Sequence, residues 1–216
     1  MHKNVLLVGI DNFICDNFFK FVDKKIFCLS DNIIYLEKLK KKFSVNVYPL
    51  MCSENEVLHF KSVMFNKSCF INEIIFNVSY FLESKPIKNI NFNDFSLFFD
   101  FNFKFFFILL KNLLPINNNY KDIFVTFLIN KRHVDKTNFL YQQECINNLL
   151  VSFMKELNKE FISQNIYFNC ISLENINLSY RKSIYPYRRY SITNENFYNV
   201  YKFLIDKKMR NKIIVA

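Results

Sequence analysis

Residues Asn138 to Leu157 read Asn-Phe-Leu-Tyr-Gln-Gln-Glu-Cys-Ile-Asn-Asn-Leu-Leu-Val-Ser-Phe-Met-Lys-Glu-Leu. Apolar residues recur at Cys145, Leu149, Ser152/Phe153 and Leu157, with a second row at Ile146, Leu150 and Met154. That spacing predicts a helix with nearly half its cylinder apolar, buried along one broad side. Tyr141 stands at the entrance of this helix. Strand-like runs lie on either side, Ile123–Leu128 before it and Asn165–Ser172 after it.

The same alternation extends back to the amino terminus. Asn4–Val8 is a short apolar run closed by Gly9, the only glycine, and reads as a central parallel strand followed by a tight turn. A helix with Ile14, Phe18 and Val22 on one face follows, then a strand at Ile26–Leu29 and a lysine-rich helix from Ile33 to Phe43. Val45–Tyr48, Glu54–Phe65 and Glu73–Asn77 read as strand, helix and strand. Asn93–Leu114, closed by Pro115, supplies one long helix, and the chain ends in a helix at Asn194–Asp206 and a strand at Asn211–Ala216. Strands alternating with helices predict a doubly wound parallel sheet of the Rossmann type, helices on both faces, in a single domain over residues 1–216.

Composition narrows the function classes. The formal net charge is +10, but the lysines are scattered along the chain, so a solvated surface is expected and a nucleic-acid interface is not. The six cysteines, at 15, 28, 52, 69, 145 and 170, show no paired metal spacing, and His2, His59 and His133 lie far apart. No metal site follows; buried reduced thiols and a cytoplasmic location do. No cleaved leader is expected. Asp94, Asp100, Lys104 and Lys111 interrupt the apolar run Phe92–Leu114 too often for a membrane span. With one glycine in 216 residues, asparagine is the expected occupant of left-handed turn positions.

Several separated positions together resemble the short-chain dehydrogenase/reductase family. Gly9 stands where the first glycine of that family's cofactor turn falls, Asn77 where an asparagine ends the fourth strand, and Asn102 at a helix asparagine. Tyr141 matches the catalytic tyrosine. Asn169, Ile171 and Ser172 resemble the sixth-strand motif, and Pro186-Tyr-Arg-Arg189 resembles a Pro-x-x-Arg element before the last helix. The resemblance implies NAD(P)H as cofactor, with Gly9, Asn77 and Asp31 on its side of the site, Asp31 against an adenosine ribose. It implies Tyr141 as the proton donor and Asn102 as support for a proton-relay water.

The departures bear on chemistry. Phe13 and Cys15 replace the turn's other glycines, which weakens a pyrophosphate site. Leu128 stands at the family's substrate-orienting serine, thirteen residues before Tyr141, and Thr126 is about 6.6 Å back along the strand. Cys145 replaces the lysine four residues after the tyrosine. A charge there, at about 4 Å in an effective dielectric near 20, is worth roughly 4 kcal/mol, or about three pKa units of tyrosine activation. A neutral thiol supplies none of it.

The layout is most similar to the 3-oxoacyl-[acyl-carrier-protein] reductases of fatty-acid synthesis, which makes acyl carrier protein a candidate partner. Enoyl-[acyl-carrier-protein] and pteridine reductases are alternatives within the fold, and a non-catalytic structural subunit is the alternative outside enzymology. The phenylalanines of Asn93–Leu114 cannot all face the sheet, because successive residues advance about 100° around a helix. The resemblance implies that helices 93–114 and 138–157 pair across a two-fold axis, so a homo-oligomer is expected.

Overall fold

A computed structural model describes residues 4–9, 19, 25–30, 32–43, 45–49, 53–66, 70–77, 86–114, 122–131, 141–174 and 194–215. Its strands are β1 (Asn4–Val8), β2 (Lys25–Ser30), β3 (Asn46–Pro49), β4 (Glu73–Asn77), β5 (Ile123–Lys131), β6 (Ile166–Glu174) and β7 (Ile213–Val215). The helices are α1 (Ile33–Lys42), α2 (Glu54–Asn66), α3 (Phe92–Phe99), α4 (Phe105–Leu113), α5 (Tyr141–Glu160) and α6 (Asn194–Asp206). All seven strands form one parallel sheet in the order β3-β2-β1-β4-β5-β6-β7. The expected doubly wound single domain is what forms. The helix expected around Ile14, Phe18 and Val22 falls largely outside the described residues.

Alternation along the strands sends side chains to two cores. Leu6, Val8, Phe27, Phe76, Val125, Phe127 and Phe168 point to the face covered by α2, α3, α4 and α5. Val5, Leu7, Cys28, Ile75, Leu128 and Ile171 point to the face covered by α1 and α6. In α5 the row Ile146, Leu150 and Met154 is wholly buried. The parallel row is less so: Leu149 and Phe153 are half-buried and Cys145 is exposed. The helix therefore presents a narrower seam than its apolar count implies; it is described over Tyr141–Glu160, and residues 138–140 of the expected span lie outside the described residues.

Capping follows side-chain chemistry. Asn32 Oδ1 accepts from Tyr35 N–H at the start of α1, and Asn91 Oδ1 accepts from Asn93 N–H at the start of α3. Ser53 and Glu56 form a reciprocal capping box: Glu56 N–H donates to Ser53 Oγ, and Ser53 N–H donates to Glu56 Oε2. The single long helix expected over 93–114 is instead two helices joined by a π turn at Asp100–Lys104, where Phe105 N–H reaches back five residues to Asp100. Among the described residues no helix is long and apolar enough to cross a membrane.

Among the described residues one carboxylic side chain is wholly buried in the sheet. Glu73 opens β4 between β1 and β5, and the Tyr201 hydroxyl on α6 donates to its Oε2. Burial first, and Glu73 second, push the Tyr201 pKa well above its ordinary value, so the phenol remains a donor. Replacing Tyr201 with Phe removes that donor and should lower the unfolding free energy by about 1–3 kcal/mol in urea denaturation. An unchanged midpoint would show that the bond contributes nothing.

Candidate active site

The order of the sheet reverses at β1: the chain winds outward through β2 and β3, then returns to place β4 on the other side. Helices diverge at such a point and leave a crevice at the carboxyl ends of the strands, where open α/β sheets take their ligands. Gly9 and Asn77 end the two strands that flank it. Gly9 has φ 71°, which turns the chain sharply off β1, and its N–H donates to Leu29 carbonyl at 3.1 Å. A side chain at this φ would clash with its own backbone. Asn77 is buried, and its Nδ2 donates to the Gly9 carbonyl at 2.7 Å. The two positions read separately from the sequence are thus one unit that ties the ends of β1 and β4 together.

Asn102 is wholly buried in the π turn, and its Nδ2 donates to Phe98 carbonyl at 3.0 Å, one turn back. The amide serves the helix where the ladder changes from four-residue to five-residue spacing. Tyr141 is the first residue of α5, so the helix starts at the carboxyl end of the sheet. Its side chain lies outside the described residues, as do Asp31, Phe13, Cys15 and Pro186-Tyr-Arg-Arg189.

Leu128 pairs with Asn77 on one side and Ile171 on the other, level with the end of β4. It is buried in the core beneath α1 and α6, whereas the α5 stripe enters the opposite core. Position 128 therefore faces away from the helix that carries Tyr141. Thr126 is buried too and, two residues back on the same strand, shares that face. Neither can offer a hydroxyl to Tyr141 in this register. Cys145, one turn along from Tyr141, is exposed, so the position that resembles the family's lysine is open to solvent but carries no cation.

In β6, Asn169 is structural: its Nδ2 donates to Met209 carbonyl at 2.7 Å, and its Oδ1 accepts from Lys212 N–H at 3.0 Å, holding the turn into β7. Sequence reading missed the polarity of the first turns of α5, where Gln142, Gln143 and Asn147 are buried. The signal was present, since Gln142 continues the buried row of Ile146 and Leu150 by one turn. Among the described residues no group of histidines, cysteines and carboxylates can hold a metal.

The thiols differ sharply. Burial pushes the Cys28 and Cys170 pKa values up to about 12, so both are protonated and unreactive near neutrality. In the folded protein iodoacetamide at pH 8 should modify Cys145 and spare Cys28 and Cys170 until urea unfolds the chain. Peptide mass mapping reads the result, and labelling of either buried thiol without denaturant would contradict the packing of β2 and β6.

No family model matches the sequence, and no curated protein matches it. Solved structures do match. A short chain dehydrogenase from Salmonella enterica serovar Typhi has a TM-score of 0.82 at 13% identity, covering 99% of this chain and 96% of its own. The 3-ketoacyl-(acyl-carrier-protein) reductase from Brucella melitensis, complexed with NADH, has a TM-score of 0.80 at 12% identity, covering 99% of this chain and 96% of its own. The Pseudomonas aeruginosa RhlG/NADP complex has a TM-score of 0.79 at 12% identity, covering 100% and 95%. Over essentially its whole length, the chain has the fold of the short-chain dehydrogenases/reductases.

Proposed function

We propose that the chain is a diverged NAD(P)H-dependent short-chain reductase acting on a β-oxo acyl substrate, in the manner of a 3-oxoacyl-[acyl-carrier-protein] reductase. The observation that carries the reading is the Gly9–Asn77 unit at the switch point of the sheet. A turn without a Cβ, pinned by a buried amide, suits close approach of a dinucleotide's phosphates. Gly9, Asn77 and Asp31 are assigned to the cofactor's side of the site, and Asn102 to support of a proton-relay water. Bound, the cofactor supplies a hydride to the carbonyl carbon. Tyr141 is assigned the proton that the carbonyl oxygen takes up.

The exposed thiol at Cys145 favours a second reading, in which the fold is kept as a structural subunit without turnover. Position 145 then lacks the cation that the resemblance would place one turn from Tyr141. The two readings separate in one set of measurements. Titration with NADH and NADPH by fluorescence should give weak binding, because Phe13 and Cys15 stand in the sequence where the family's turn has its other glycines. Turnover of acetoacetyl-coenzyme A should vanish in Tyr141→Phe and rise at least tenfold in Cys145→Lys. A Tyr141→Phe variant as active as the parent would overturn the assignment, and a complete absence of cofactor binding would leave the structural reading.

The reading includes a homo-oligomer built on the helices 92–113 and 141–160. Of the phenylalanines on the first, Phe98, Phe105 and Phe106 are buried, Phe95, Phe99, Phe101 and Phe103 are half-buried, and Phe92 and Phe107 are 78% and 47% exposed. Phe103 meets Phe153 of α5 edge-on at a ring distance of 5.3 Å and Phe107 is tilted against it at 6.2 Å, forming a ridge with one side in solvent. Self-association of that ridge about a two-fold axis covers it. Sedimentation should return twice the 26.2 kDa of one chain, or a higher multiple, and Phe107→Glu should shift it toward monomer. A parent protein monomeric at micromolar concentration would refute the interface.

A further inference from the structure

Three side-chain amides are buried in the first two turns of α5, and only two of them answer each other. Gln143 Nε2 donates to Asn147 Oδ1 at 3.1 Å. Gln142 is 4% exposed, and its Nε2 has no hydrogen-bond partner. Leaving such a donor unmet in the interior is costly, and folded proteins seldom leave one without a reason.

The Ser172 hydroxyl near the end of β6 is the companion observation: it is 1% exposed and also without a partner. Its position is set by strand alternation. Phe168 and Cys170 enter the core beneath α5, and Ser172 is the next residue of that row. Gln142 occupies the equivalent place on the helix, one turn before Ile146 on the row that enters the same core. Asn158 fixes how the two elements run, since its Nδ2 donates to Phe168 carbonyl at 2.9 Å while its Oδ1 accepts from Phe168 N–H at 3.4 Å. Moving away from this clamp, α5 toward its start and β6 toward its end both lead to the carboxyl end of the sheet. Both rows change there from apolar to polar, and both polar groups lack a partner. Gln142 is also the residue next to Tyr141.

We infer that Gln142 is a substrate-binding residue whose amide donates to an acceptor oxygen other than the carbonyl being reduced. Ser172 lines the same end of the sheet. A β-oxo acyl compound carries such an oxygen in its ester or thioester carbonyl, whereas a simple ketone does not. The inference rests on the reductase reading and specifies what its substrate must offer.

The test compares acetoacetyl-coenzyme A with cyclohexanone in NADPH-dependent reduction by the full chain. Gln142→Leu should raise KM for acetoacetyl-coenzyme A at least tenfold more than KM for cyclohexanone, with kcat changed far less than KM. Gln142→Glu, which keeps the length and replaces the donor by an acceptor, should do the same. The melting temperature of ligand-free Gln142→Leu should equal or exceed that of the parent, because a donor met only by ligand is missed by nothing in the free protein. Equal KM effects on the two ketones, or a fall in melting temperature showing that the amide is used within the protein, would overturn the inference. If the parent reduces neither ketone, the reductase reading fails by itself, and calorimetry with acetoacetyl-coenzyme A decides the rest. Binding weakened tenfold by Gln142→Leu sustains the assignment, whereas equal binding, or none by the parent, ends it.

Discussion

A parallel sheet covered by helices on both faces leaves a polar side chain no water to turn to, and this constraint organises the molecule. Several of the polar groups admitted to the interior hold one element to another. Tyr201 reaches across from α6 to Glu73, Asn77 joins the ends of β1 and β4, Asn158 clamps α5 to β6, and Asn169 shapes the approach to β7. These bonds sit between elements rather than within them. They fix how helices register against the sheet, which apolar packing alone leaves loosely determined.

The scarcity of glycine makes asparagine the chain's general tool. Gly9 takes the one turn where β1 must end abruptly, and Lys208 at φ 48° and Asn211 at φ 53° take the left-handed positions between α6 and β7. Asn102, Asn112 and Asn158 each donate from Nδ2 to the carbonyl four residues back. The same side chain that caps helix starts at Asn32 and Asn91 therefore also serves helix interiors, where the amide competes for backbone carbonyls. The lysine at 208 is anchored separately, by a 2.8 Å contact with Asp122.

For chemistry, the features that matter sit at the switch point of the sheet and on the face of α5. The switch point keeps its glycine and asparagine in direct contact, and α5 still begins with Tyr141 at the carboxyl end of the sheet. One turn further on, position 145 carries an exposed thiol and no cation. Position 128 contributes a leucine to the far core. The buried amides at the start of α5 are then the nearest polar groups on the helix itself.

Sequence alone determined the layer order. Strand and helix periods of two and 3.6 differ enough to be read even in a chain so rich in phenylalanine and asparagine, and the expected strands all fall within a parallel sheet. The pairing of Gly9 with Asn77 was foreshadowed, because each was singled out at a strand end, but their contact spans 68 positions and no local pattern encodes it. The break of the long helix at Asp100–Lys104 was illegible, since a π turn changes hydrogen-bond spacing without a glycine or proline to announce it. The exposure of Cys145 and the direction of Leu128 were likewise decided only by the tertiary structure. A helical period states which residues share a face, whereas the sheet decides which of two neighbouring rows it covers and where along α5 that cover ends.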